Sequence, residues 1–393
     1  MSSRRKLRVL AVTNLFPSNI DPGHAPFNRR QFAALAQFAD LEVVGVVPWR
    51  FGPASGRGLL REERIDSLRV VHRRYPSILG LPSLNATLML LALLPGLRKQ
   101  LREHRYDVLL ASYAYPDGCA AVLLGRILGV PVVVKCHGSD LNRVTDHRLV
   151  KLQLKHVLPR ARAVVVVSRH LGDRALHLGV PADRLHVVYN GIDHERFRPA
   201  DKLDARQRLS LPLDREIVLY VGHLEQHKGV RDLLQALPLI RKARPRVLAV
   251  FLGRGPLARE VREMAASPLS GARDILASDA VPHNEVPLWM AAADVVCLPS
   301  WTEGMPNVIR EAHACGRPVV ATTVGGIPEA VASTELGILV PPRQPAALAA
   351  GLAEQLSRPP IAAETIARLA MVPSWEESAR TLHAVLERAA RGP

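Results

Sequence analysis

Glu303 and Glu311 stand eight positions apart in a segment whose other residues give the pair a chemistry. The apolar run from Asp294 to Pro299 before them reads as a buried strand, and the residues after them read as a helix with Pro306 in its first turn, where proline is tolerated. A strand running into a helix N-terminus makes an anion site, because unpaired backbone N–H groups and the helix dipole point at one spot. At ~1.5 Å of rise per residue the two carboxylates would lie on the order of 10 Å apart. That span suits a ligand with hydroxyls at both ends and a diphosphate between them, which is the shape of a nucleotide-sugar.

Two further sets of residues could serve such a ligand. Gly222 ends an apolar run, where a glycine lets a ligand approach the backbone, and Lys228 six residues on could reach a diphosphate as a point charge. His137, in Cys136-His137-Gly138-Ser139-Asp140, follows another apolar run and so belongs at the carboxyl end of a strand.

The elements that must position these residues alternate along the chain. Strand-like runs fall at 7–13, 41–47, 68–72, 108–111, 132–136, 163–167 and 186–188, with helical patterns at 27–38, 84–101, 118–128 and 169–178 between them. After the turn Asn190-Gly191-Ile192-Asp193 the alternation restarts. Its second set of strands is expected at 217–221, 247–252, 275–277, 295–298, 319–322 and 338–340, with helices at 230–243, 257–266, 286–291 and 345–356. Short apolar strands alternating with helices imply parallel sheets covered on both faces. The fold class is therefore α/β, two doubly wound Rossmann-like domains facing across a cleft, with ligands at the carboxyl ends of the strands. The expected domains are 1–195 and 196–375.

The chain of 393 residues carries 52 Lys and Arg against 36 Asp and Glu, a net charge of +16, so an anionic partner is implied. The arginines are dispersed, no nucleic-acid motif accompanies them, and aromatic residues are few; nucleotide diphosphate and an anionic membrane surface are favoured, and nucleic acid is not. Cys119, Cys136, Cys297 and Cys315 lie in apolar segments without CxxC spacing and read as buried thiols of a reducing compartment. The basic start Met1 to Lys6 leads into too short an apolar run for a signal peptide, and no run reaches the ~18–20 apolar residues that span a bilayer. The expected location is cytoplasmic, with a peripheral place on the inner face of the plasma membrane in view. Segment 84–102 combines an apolar stripe with basic residues and fits either a membrane-surface helix or an ordinary core helix.

The stretch from Glu303-Gly304-Met305-Pro306-Asn307-Val308 through Glu311 to Gly325-Gly326-Ile327-Pro328-Glu329 closely resembles the signature of family 4 glycosyltransferases, GT-B enzymes of the retaining, metal-independent kind. The resemblance implies a nucleoside-diphosphate sugar donor, a glycan or lipid-linked acceptor, no cofactor and no metal. It puts Glu311 on the ribose hydroxyls, Glu303 on the sugar or its leaving phosphate region, and the backbone of Gly304, Met305, Asn307 and Val308 on the phosphates. Lys228 would hold the diphosphate; His223 stands where the family usually has an arginine. Arg254, in Gly253-Arg254-Gly255-Pro256, falls in the family's nucleotide loop, and His283 in the segment whose backbone meets the base. His137 would approach the transferred sugar, and Gly23 would lie in a first loop close to acceptor and diphosphate. The last helix, 376–393, would cross back to the first domain. The flanking sequence points to the bacterial exopolysaccharide and cell-envelope type. A nucleotide-sugar 2-epimerase of GT-B-like fold and a non-catalytic nucleotide-sugar-binding protein are the alternatives; no second acid–base set around the sugar speaks for the epimerase.

Overall fold

The computed structural model describes residues 5–49, 58–266 and 274–392. The first four residues of the basic start lie outside the described residues. The chain divides into two compact units, one formed by Met1–Gly191 with Pro373–Pro393 and the other by Ile192–Val372.

The first unit is built on eight strands: β1 Leu7–Thr13, β2 Ala39–Trp49, β3 Glu62–Ile65, β4 Leu68–Pro76, β5 Val108–Ala111, β6 Val132–Cys136, β7 Ala163–Val166 and β8 Leu185–Val187. Their order across the sheet is β3-β4-β2-β1-β5-β6-β7-β8. All neighbours are parallel except β3 and β4. Strands such as β5, β6 and β7 are buried along their whole length, which is why, Lys135 of β6 apart, they read as aliphatic runs rather than alternating ones. On one face Val9, Val43, Val70 and Val133 pack with Phe32 and Leu35, and with Leu382 and Leu386 of the C-terminal helix Trp375–Ala390. That helix starts at a capping box, Ser374 with Glu377, which satisfies two of its otherwise orphaned donors.

One strand was not foreseen. The sequence of β3, Glu-Glu-Arg-Ile, is mostly charged, as suits an edge strand that must not pair with another molecule. A two-residue turn with Asp66 at φ 48° and Ser67 at φ 69° folds it antiparallel onto β4.

The second unit carries β9 Glu216–Val221, β10 Val247–Leu252, β11 Ile275–Ser278, β12 Val295–Leu298, β13 Val319–Thr322 and β14 Gly337–Val340. Its sheet is wholly parallel in the order β11-β10-β9-β12-β13-β14. This is the Rossmann order, whose reversal between β9 and β12 opens a crevice at the carboxyl ends of those two strands. Separate apolar layers cover its two faces, Leu219, Val250, Met290 and Ile309 on one side and Val218, Tyr220, Phe251 and Val295 on the other.

All four cysteines are buried and free. The helix Asn85–Glu103 buries Ala86, Met89, Leu93 and Leu97, the spacing of a core-facing stripe, and exposes Leu91 on its other side. Among the described residues no helix is long and apolar enough to cross a membrane.

Candidate functional site

In the second unit the segments after β9 and β12 meet at the strand-order reversal. Gly229 has φ 69°, and a Cβ there would lie 1.8 Å from the carbonyl oxygen of Pro299, so only glycine lets the two turns touch. Trp301 N–H donates to His227 O at 2.8 Å and ties the same turns together. Lys228, next to that contact, donates from Nζ to Glu303 Oε1 at 2.7 Å. Ser300 Oγ donates to the same oxygen at 2.7 Å, while Thr322 Oγ1 holds the Ser300 carbonyl at 2.5 Å. Glu303 is 10% exposed and Lys228 25% in their side chains, so the pair is partly desolvated yet open on one side. Beneath it, Gly325 has φ 58°, and a Cβ would come within 2.0 Å of Glu303 O.

The helix Asn307–Ala314 starts four residues beyond Glu303, with Pro306 just outside it in extended backbone. No side chain caps this end. Its first-turn N–H groups, including those of Asn307 and Val308, have no acceptor within the helix, and Gly304 and Met305 lead into it. One turn further along, Glu311 is only 8% exposed, not a solvated helix residue, and its Oε1 lies 3.1 Å from His283 Nε2. The His283 ring meets Phe197 edge-on at 5.1 Å. His283 thus enters through its side chain, where the sequence pointed only to backbone.

His223 and Arg254 are exposed and line, with Gly222 and Gly253, a pocket of about 180 Å³. Buried Tyr220 donates its hydroxyl to His223 O at 2.7 Å, and Leu224 N–H donates to Arg254 O at 2.9 Å, so the two loops are fixed side by side. Around Trp301 the structure adds residues the sequence did not single out. Asp232 Oδ2 accepts from Trp301 Nε1 at 2.6 Å, and the Arg343 guanidinium lies 4.5 Å over the indole.

In the first unit His137 follows β6 at its carboxyl end. Asp140, fully buried, accepts from the backbone N–H groups of Ala114, His137 and Gly138 at 2.9, 3.1 and 2.8 Å, so the acid of this motif shapes the loop. Asn28 Nδ2 donates to Leu15 O at 2.8 Å, which leaves Asn28 Oδ1 to accept the Ser112 hydroxyl at 2.9 Å. Ser112 Oγ must then accept from His137 Nε2–H, 2.9 Å away, and the tautomer follows from the network. Burial, helped by the nearby Lys135 charge, holds the imidazole pKa well below its usual value, so the ring is neutral. The Phe27 ring packs 4.8 Å from it.

Two fully buried titratable groups lie in the same unit. Lys135 donates to Gln31 Oε1 at 2.9 Å and Asn190 Oδ1 at 3.2 Å, with burial drawing its pKa down to about 7. Asp117 accepts Asn14 N–H at 2.9 Å, and burial pushes its pKa up to about 8. Gly23 lies apart from these contacts in an exposed loop, where a Cβ would meet nothing within 4 Å.

Two Rossmann-like parallel sheets, one presenting an acid–lysine pair and a buried second glutamate at its switch point, define a GT-B glycosyltransferase. The chain belongs to the family 4 glycosyltransferases: a pattern described as "Glycosyltransferase Family 4" matches residues 16–196, and one described as "Glycosyl transferases group 1" matches residues 215–358. It is 30% identical over 380 residues to a protein of Bacillus subtilis named as the teichuronic acid biosynthesis glycosyltransferase TuaC, covering 91% of this chain and 92% of the relative. It is 32% identical to a D-inositol 3-phosphate glycosyltransferase of Xylanimonas cellulosilytica, over 74% of this chain and 73% of that one. Among solved structures, sucrose-phosphate synthase of Thermosynechococcus elongatus superposes with a TM-score of 0.78 at 21% identity, covering 97% of this chain and 98% of the other. HepE of Anabaena in complex with UDP gives 0.75 at 20% identity, covering 97% and 100%. At these identities the structural likeness speaks for the fold alone.

Proposed function

We propose that this glycosyltransferase moves a sugar, with retention of anomeric configuration, from a nucleoside-diphosphate sugar to an acceptor hydroxyl during synthesis of a cell-envelope polysaccharide. The observation that carries the reading is the Lys228–Glu303 pair beside the uncapped helix start at Asn307, one helix turn from buried Glu311. Glu311, oriented by His283, receives the ribose hydroxyls. The N–H groups of Gly304, Met305, Asn307 and Val308 and the Lys228 ammonium hold the diphosphate, and His223 and Arg254 flank it. Such fixed donors stabilise charge on a departing diphosphate without reorganising during the reaction. Glu303 meets the sugar.

In the proposed step the acceptor oxygen attacks the anomeric carbon from the face the diphosphate is leaving. The bond from that carbon to the β-phosphate oxygen breaks, its electron pair departs with the nucleoside diphosphate, and the acceptor proton passes to a β-phosphate oxygen. Neutral His137, its Nε2–H given to Ser112, has only Nδ1 left and accepts a hydrogen bond at the sugar rather than contributing charge. HepE, a structural neighbour, has been solved with UDP-glucose, which supports a nucleotide-sugar donor here, and the name of the Bacillus relative supports an envelope glycan as product. A lipid-linked acceptor at an anionic membrane surface belongs to the same proposal. It is supported by the net charge of +16 and by helix Arg148–Val157, which exposes Leu149 and Leu152 beside Arg148, Lys151 and Lys155.

Incubation with a panel of nucleoside-diphosphate sugars and membrane extract, followed by mass spectrometry, tests the proposal. Release of nucleoside diphosphate together with a glycosylated acceptor is expected. Donor binding without sugar transfer from any member of the panel would defeat it.

A further inference from the structure

The first sheet has a second chemical end. Parallel strands put all their carboxyl ends on the His137 side, so Arg162, just before β7, and Arg184, just before β8, lie at the opposite, amino end of the sheet. There a cavity of about 530 Å³ is lined by Arg162, Arg184, Arg388 and Arg391, with His186 and a single acid, Asp183. The four guanidinium groups come from three separate segments: the approaches to β7 and β8, and the last turn of helix Trp375–Ala390 with the residue that follows it.

Helix dipole compensation accounts for basic residues at that helix end. It accounts for neither Arg162 nor Arg184, which belong to other elements. Arg184 donates to Pro159 O at 3.2 Å, and Arg391 pairs with Glu387 at 3.3 Å. Among the described residues the side chains of Arg162 and Arg388 have neither a hydrogen bond nor an ion pair. Several arginines elsewhere in the fold are matched, Arg206 with Asp294, Arg215 with Asp274 and Arg244 with Glu216. The field of the unmatched ones is felt inside the cavity, where burial first and then the Arg388 charge lower the pKa of His186. A concavity of about 340 Å³ adjoins through Arg391; it is lined by Arg5 and Lys6 together with the acids Asp107, which pairs with Arg5, and Glu387.

Unpaired guanidinium groups converging on a concave site of this size fit an anion with several charges, because the planar fork binds phosphate oxygens two at a time. We propose that this cavity is a second anion site, separate from the switch-point site of the other unit, and that it binds a ligand carrying two or more phosphate groups, either a free oligophosphate or a polyphosphorylated headgroup. The proposal is independent of the donor reading. Arg162 and Arg388 are the anchoring pair, and Asp183 opposes binding.

Calorimetric titration of the full chain with tripolyphosphate tests this. Arg162→Gln/Arg388→Gln should weaken binding about tenfold or more, since two charge-assisted hydrogen-bonding groups are removed. Asp183→Asn should tighten it, a gain that misfolding cannot mimic. Lys228→Met should leave it in place, and the arginine double variant should keep wild-type transferase activity. Unchanged binding in the double variant, or binding abolished by Lys228→Met alone, would overturn the proposal. Co-sedimentation with phosphatidylcholine vesicles containing phosphatidylinositol bisphosphate, compared with phosphatidylserine vesicles of equal charge, separates the sources. Sedimentation specific to the bisphosphate and abolished in the double variant identifies a headgroup; its absence alongside intact tripolyphosphate binding identifies the free anion.

Discussion

Lys228 Nζ lies 2.7 Å from Glu303 Oε1, and Ser300 Oγ shares that oxygen. The pair joins two loops 75 residues apart in sequence at the strand-order reversal of the second sheet. A carboxylate held this way is fixed in position, and an ammonium held this way is already placed for an anion.

Removing the lysine should therefore do two separable things. Lys228→Met takes the neutralising charge from Glu303 in a largely desolvated place, with the Ser300 hydroxyl still donating to it, at a cost of about 1–2 kcal/mol in stability. It should also lower kcat/KM by about 100-fold, because the diphosphate is deprived of one charged donor. Adding Glu303→Gln should restore the melting temperature but not the activity. Restored activity in the double variant would refute a role in transfer.

Glu311→Ala should raise the donor Kd about 10- to 100-fold, as expected when the hydrogen bonds of a buried carboxylate are removed, with little change in unfolding. Donor titration by calorimetry, with denaturant unfolding as control, reads both quantities. An unaltered Kd contradicts the ribose-binding assignment.

His137→Gln should lower kcat with donor affinity largely kept. Because burial holds the imidazole neutral, the kcat profile between about pH 6 and 8 should carry no inflection from this group. Ser112→Ala removes the acceptor of His137 Nε2–H and should lower kcat in the same direction but by less. An inflection near pH 6.5 that vanishes in His137→Gln would show the ring titrating in the open range.

The pH dependence of stability has a definite sign at Asp117. Its folded pKa, about 8, lies above the ordinary carboxylate value of 3.8, so the folded state binds the extra proton between those limits. Stability from this group is full below about pH 4 and is lost as pH rises through 8. Lys135 runs the other way: its folded pKa of about 7 lies below 10.5, so its contribution rises from pH 7 upward. Asp117→Asn keeps an acceptor for Asn14 N–H and removes only the titration. Thermal melts at pH 5 and 8.5 should show the variant gaining on wild type at the higher pH; a constant difference would place the proton elsewhere.

The sheets were readable because parallel strands covered on both faces are apolar from end to end, as in Ala163–Val166 and Val295–Leu298. The Glu303–Glu311 site was readable because strand end, turn and helix start are contiguous in the chain. The surroundings of His137 were not. Asn28, Ser112 and His137 are polar residues scattered among apolar ones, and the Asn28–Ser112 bond closes over 84 residues, so no local pattern announces it. Lys135 is a single charge inside an apolar run, and only the packed sheet shows it buried against Gln31 and Asn190. Strand β3 escaped for the opposite reason, since an exposed edge needs charge and charge conceals a strand.

Two glycines, one in the first loop and one in the signature stretch, should behave differently. Gly23 has an ordinary backbone and open space around its α-carbon, so Gly23→Ala should leave stability and activity within about 0.5 kcal/mol of wild type. Gly325 has φ 58°, and a methyl there would press on the carbonyl of Glu303. Left-handed backbone costs a non-glycine residue about 1–2 kcal/mol, and overpacking adds about 1–3. Relief requires moving the Glu303 backbone, which also holds the partner of Lys228. Gly325→Ala should thus lose about 2–4 kcal/mol by denaturant unfolding and, under conditions where it remains folded, turn over slowly. A Gly325→Ala chain as stable and as active as Gly23→Ala would mean that the turn at Glu303 yields easily, and that its geometry is not what positions the carboxylate.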